Sequence, residues 1–157
     1  MERTFLTLGH GYSARVLARH LVERGWRVIG TTRTAEEAEK LSDTGVEMHV
    51  WPGCELEPLI SQASHVLLSA GPGEAGDPFL PHVAEALANG PPEWLCYLST
   101  VGVYGDHAGE WVDESTPLTP STKRGKLRVE AEQAWQALAA KAGLPLHIFS
   151  LAGIYGP

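Results

Sequence analysis

The chain has 157 residues, 43% hydrophobic and 20% charged, the composition of one globular domain large enough to bury a core. A net charge of −7 argues against nucleic acid or an anionic membrane surface as the main partner. Cys54 and Cys96 lie far apart and the seven histidines are scattered, so no metal-ligand spacing is present and no metal is expected.

In chain order, an apolar strand over 4–8 runs into Gly9-His10-Gly11-Tyr12-Ser13-Ala14. A helix follows, with Ala14, Leu17, Leu21 and Val22 on its buried face and Gly25 as its stop. A second strand over 26–33 comes next, and Thr34 with Glu37 forms a capping box for a short helix that Gly45 closes. Strands are expected over 46–51, 65–70, 94–98 and 146–151, with a weak helix over 55–62 and an apolar one over 78–89. A polar loop reaches Pro120, and a long helix then runs over 121–141 until Gly143 and Pro145 stop it. Short strands alternating with helices make βαβ units, and right-handed crossovers assemble them into an α/β, doubly wound parallel sheet. Cys96, inside an apolar run, reads as a small core residue.

The G-x-G-x-x-A motif sits between a strand and a helix, where it makes a dinucleotide cradle. Gly9 allows the tight turn, Gly11 admits a pyrophosphate, Ala14 keeps the helix close to the sheet, and Tyr12 and Ser13 open the helix toward the phosphates. An acid that would hold the ribose 2′-hydroxyl of NAD is missing from Thr31-Thr32-Arg33-Thr34; the first is Glu36. Arg33 can stack on adenine and pair with a 2′-phosphate, so NADP(H) is the expected cofactor in preference to NAD(H), unless Arg33 is only a solvated charge. Ligands in such sheets lie beyond the carboxyl ends of the strands, which brings in Ser69-Ala70-Gly71-Pro72 as a cofactor-lining segment, or else an ordinary exit from the strand.

Four motifs in order carry a family resemblance: Gly9-x-Gly-x-x-Ala14; Leu98-Ser-Thr-Val-Gly-Val-Tyr-Gly105; Glu114 with Pro117 and Pro120; and Leu151-Ala-Gly-Ile-Tyr-Gly-Pro157. Together they resemble the extended or atypical short-chain dehydrogenase/reductases grouped with NAD(P)-dependent epimerases and dehydratases. The resemblance implies a Rossmann-type NAD(P)-binding domain over 1–157, lacking most of a C-terminal substrate subdomain: the amino-terminal part of a longer protein, or a minimal cofactor-binding domain. It places the catalytic hydroxyl on Thr100 and gives Tyr104 a structural role. Aligned through Glu114, Pro117 and Pro120, the acid/base Tyr-x-x-x-Lys pair falls on Arg124 and Arg128, with Gly125 and Glu132 on further family positions.

A rival register would put that pair on Thr122 and Lys126. With Leu127, Ala131, Ala134 and Leu138 as the buried face, Arg124 lies roughly 50° from its centre and Thr122 roughly 150° away, which favours the arginines. Arginine keeps its proton and cannot exchange it as a phenol does, so Arg124 and Arg128 are expected to act electrostatically, facing an anion. On the alternative reading both turn to solvent, with Arg128 paired to Glu132. The expected function is a cytoplasmic NADP(H)-binding protein, an oxidoreductase or sugar-nucleotide epimerase/dehydratase with an atypical site. The alternatives are a non-catalytic NADP(H)-binding sensor and a domain that binds no nucleotide. Neither a signal peptide nor a membrane-length apolar run is evident, and an exposed sheet edge would favour a homodimer.

Overall fold

In a computed structural model describing residues 3–156, the strands are β1 (Thr4–Leu8), β2 (Arg27–Thr32), β3 (Val46–Val50), β4 (His65–Leu68), β5 (Trp94–Thr100) and β6 (Leu146–Leu151). The helices are α1 (Tyr12–Glu23), α2 (Ala35–Lys40), α3 (Glu57–Gln62), α4 (Leu80–Asn89) and α5 (Lys123–Ala142). The six strands form one parallel sheet in the order β3-β2-β1-β4-β5-β6. The order reverses between β1 and β4, and that switch point is where a crevice opens beyond the strand ends. The doubly wound α/β fold is therefore the one expected.

Alternation along the strands feeds two cores. Leu6, Leu8, Ile29, Val66, Leu68, Leu95 and Tyr97 pack with residues of α3, α4 and α5, among them Ile60, Leu87 and Trp135. Phe5, Val28, Leu67 and Cys96 pack on the opposite side with Ala14 and Ala18 of α1. Burial of apolar surface from both faces explains the near-continuous apolar strands. Cys96 lies fully in the core, and its thiol is pushed up to about 12 by that burial.

Two buried helix faces differ from expectation. Leu17 is 37% exposed, because the inner stripe of α1 runs through Ala14 and Ala18; Leu17 instead lines a hollow with Leu67, Trp94 and Phe149. In α5 the buried residues are Gly125, Arg128, Ala131, Glu132 and Trp135. The predicted stripe was rotated, because Arg128 and Glu132 look like surface residues in the sequence yet find polar partners on β5. β5 also runs on to Thr100, paired with Leu151 of β6, so Ser99 and Thr100 belong to the strand.

Local signals set the helix starts. Thr34 Oγ1 accepts from the backbone N–H of Glu37, and Thr122 Oγ1 does the same for Gly125. The cap at Thr122 gives that residue a structural task at the start of α5.

Candidate functional site

The cradle is assembled from three strand ends. Gly9 N–H donates to Thr31 Oγ1 at 2.9 Å, and His10 N–H donates to the Thr31 carbonyl at 2.8 Å, tying the turn to β2. Gly9 has φ +87°, and a Cβ there would sit 3.2 Å from the Cβ of Ala70, so conformation and space both demand glycine. Around Gly11 a Cβ would find no atom within 4 Å, and no side chain caps the start of α1. The mouth of the helix therefore opens onto free space, where its N–H groups favour negative charge.

His10, between the two glycines, is 4% exposed and turned inward, with Nδ1 2.7 Å from Thr7 Oγ1. Burial, aided by the nearby Arg15 charge, lowers its pKa to about 4, so the imidazole is neutral at pH 7. Arg15 donates through Nε to the His10 carbonyl and forms an ion pair with Glu37.

Two cavities flank this turn. The first, about 400 Å³, is bordered by Thr32, Arg33, Glu37, Trp51 and Phe79. Trp51 and Phe79 form an aromatic wall, with ring centroids 4.5 Å apart. The second, about 460 Å³, is bordered by Tyr12, Ser13, Thr100, Arg124 and Arg128. Both share Gly11, Ser69, Ala70 and Gly71 as a common wall, so they form two halves of one trough crossing the switch point. Two expected residues are off its walls: Ala14 of α1 is fully buried against the sheet, and Pro72 borders neither cavity. Trp51, Phe79 and the inward His10 were missed in the sequence, where nothing distinguishes them from core residues.

At the second cavity, Thr100 Oγ1 accepts from the N–H of Gly102, capping the 3-10 turn Val101–Val103. α5 closes on that turn: a Cβ on Gly125 would lie 2.8 Å from the Gly102 carbonyl oxygen. Ser99 donates a short hydrogen bond to the buried Glu132. Arg128 is 9% exposed and donates through Nη1 to Tyr97 Oη at 3.1 Å and to the Leu98 carbonyl at 2.9 Å. Burial pushes the Tyr97 phenol up to about 12 against the opposing pull of Arg128, so Tyr97 stays neutral. Arg128 Nη2 approaches Gly71, where a Cβ would be 3.1 Å away. The guanidinium thus neither turns to solvent nor pairs with Glu132, as the alternative reading held. Arg124, one turn earlier, is exposed at the cavity mouth. No cluster of metal-binding side chains occurs among the described residues, nor is any helix there long and apolar enough to cross a membrane.

The parallel sheet, its strand order and the trough at the switch point define a Rossmann-like α/β domain. UDP-glucuronic acid 4-epimerase from Bacillus cereus, solved in complex with NAD, shares this fold with a TM-score of 0.79 at 18% identity over 99% of this chain and 58% of that one. A functionally unknown conserved protein from Silicibacter pomeroyi superposes with a TM-score of 0.91 at 50% identity, over 99% of this chain and 55% of the other. Protein YeeZ of Escherichia coli strain K12 is 32% identical over 164 residues, 96% of this chain. The chain spans 58% of the length of YeeZ. No protein-family model matches the chain.

Proposed function

We propose that the trough binds a dinucleotide, with NADP(H) preferred, and that the chain is the cofactor-binding part of a short-chain dehydrogenase/reductase-like oxidoreductase or sugar-nucleotide epimerase/dehydratase. One observation carries the reading: two cavities of nucleoside size meet at Gly11, where a Cβ would contact nothing, so a diphosphate fits between them. The adenosine half would lie against Trp51 and Phe79, with Arg33 reaching a 2′-phosphate. Glu37, the only carboxylate among the described residues bordering that half, is held by Arg15, which blunts its repulsion of a phosphate.

When bound, the nicotinamide supplies hydride acceptance and donation. Thr100, on the wall of the second cavity, would hydrogen-bond a substrate carbonyl or alcohol oxygen. Arg124 and Arg128 supply positive charge beside it and move no proton. The buried, neutral Tyr97 is held by Arg128 behind the cavity and is not among the cavity-lining residues.

A non-catalytic NADP(H) sensor remains the second reading, favoured by arginine at both positions of the acid/base pair. Titrating the chain with NADP(H) and NAD(H), read by Trp51 fluorescence with Trp51→Phe as control, tests the binding claim. Saturable quenching by NADPH at lower concentration than NADH is expected, and absence of binding by either would overturn it. Turnover of a carbonyl panel with NADPH then separates enzyme from sensor.

A further inference from the structure

The second cavity has a charge imbalance that the dinucleotide does not remove. In a chain of net charge −7, the described residues of its walls include Arg124 and Arg128 and no aspartate or glutamate. Lys123, next in sequence, is already engaged with Glu74. Glu132, one turn beyond Arg128, is the obvious counterion, but it receives the Ser99 hydroxyl instead. Among the described residues no carboxylate forms an ion pair with Arg128. Its Nη1 is satisfied by neutral oxygens, while Nε is buried with no hydrogen-bond partner.

A guanidinium withdrawn from water to this degree, over the Tyr97 ring but in no direct ion pair, is costly. An anion that paired with it would find room in the cavity that Arg128 borders beside Gly71, where the exposed Arg124 also stands. Two guanidinium groups four residues apart on one helix repel each other when nothing lies between them, and a shared oxyanion reverses that.

We propose that this cavity takes a small substrate bearing an oxyanion, a carboxylate or phosphate group, which Arg124 grips at the mouth and the buried Arg128 charge attracts from below. The inference rests on the dinucleotide reading only in assigning the oxyanion to the substrate, since the cofactor's diphosphate is placed at Gly11. Arg124 is the specificity-determining contact, and Arg128 acts as a positioning charge.

The test is calorimetric titration of the purified chain, with and without saturating NADPH, using pyruvate, inorganic phosphate and uncharged acetone as probes. Pyruvate or phosphate should bind, their ratio showing which oxyanion is preferred, and acetone should not. Arg124→Gln, a change at an exposed position, should weaken the oxyanion about tenfold or more, the loss of a charge-assisted hydrogen bond. Equal binding of acetone, an unchanged Arg124→Gln affinity, or no oxyanion binding would each overturn the proposal. If oxyanions bind through Arg124 while neither dinucleotide binds, the cofactor reading alone fails. Dinucleotide binding without oxyanion binding sinks only the present inference.

Discussion

The imidazole of His10 fills the space that a side chain at Gly30 would need: a Cβ at position 30 would come within 2.8 Å of His10 Nδ1. A glycine inside a central strand is otherwise a weakness, and here it is the socket that lets the middle residue of the cradle fold inward. Gly30→Ala should therefore displace His10 and, with it, the turn that Thr31 holds. The expected loss is about 1–3 kcal/mol of stability together with weaker NADPH binding. Thermal unfolding and cofactor titration of the variant check both; unchanged values would mean that the histidine moves aside freely.

Gly9 and Gly11 should separate stability from binding. Alanine at Gly9 must adopt φ +87° and press on Ala70, so a loss of about 1–3 kcal/mol is expected. Alanine at Gly11 meets no protein atom and has an ordinary φ of −83°, so stability should stay within about 0.5 kcal/mol. Its methyl group would stand where a diphosphate must approach, and NADPH affinity should drop about tenfold or more. Equal affinity for wild type and Gly11→Ala would remove the diphosphate from this turn.

The strands were legible because each is a short apolar run bounded by glycine, proline or a capping residue, as at Thr34 and Gly45, whereas their order in the sheet is seen only in the fold. The long helix was legible in extent and misread in orientation. Hydrophobic patterning treats Arg128 and Glu132 as surface residues, whereas Leu98 and Ser99 supply the partners that permit their burial. Such partners lie some thirty residues away, beyond any periodicity. The same limit hid Trp51: its aromatic wall exists only because α4 brings Phe79 beside it.

On the proposed reading, cofactor selection would turn on Arg33. An exposed guanidinium at the rim of the first cavity contributes mainly to a ligand that carries an extra phosphate there. Arg33→Ala should weaken NADPH by about 10- to 150-fold, from roughly 1.5–3 kcal/mol of charge-assisted bonding, and leave NADH nearly unchanged. Parallel fluorescence titrations decide it, and equal weakening of both cofactors would assign Arg33 to adenine stacking alone.

Ser99 is the hydroxyl partner of the buried Glu132 carboxylate. Ser99→Ala would strand that carboxylate, at about 1–3 kcal/mol of stability. The double variant Ser99→Ala, Glu132→Gln should recover part of the loss, because a neutral amide is easier to bury than an unpaired charge. Denaturant unfolding of the set measures the coupling, and strict additivity would show that the two side chains do not depend on each other.

Stability should also carry the signature of His10. Its pKa is lowered from 6.5 to about 4 in the folded chain, so on acidification the unfolded chain takes up this proton first. The neutral imidazole thus contributes fully above pH 6.5, its contribution falls as the pH drops from 6.5 toward 4, and below about 4 the loss levels off. At about 1.4 kcal/mol for each pH unit, the gap amounts to as much as about 3 kcal/mol. His65, also lowered by burial, adds to the slope in the same direction just below pH 6.5. Comparing the wild-type chain with His10→Asn, which keeps a polar group toward Thr7 but does not titrate, isolates the His10 share. Urea unfolding between pH 7 and 4 should show a shallower decline for His10→Asn. Parallel profiles would mean that His10 accepts its proton in the folded cradle as readily as in the open chain.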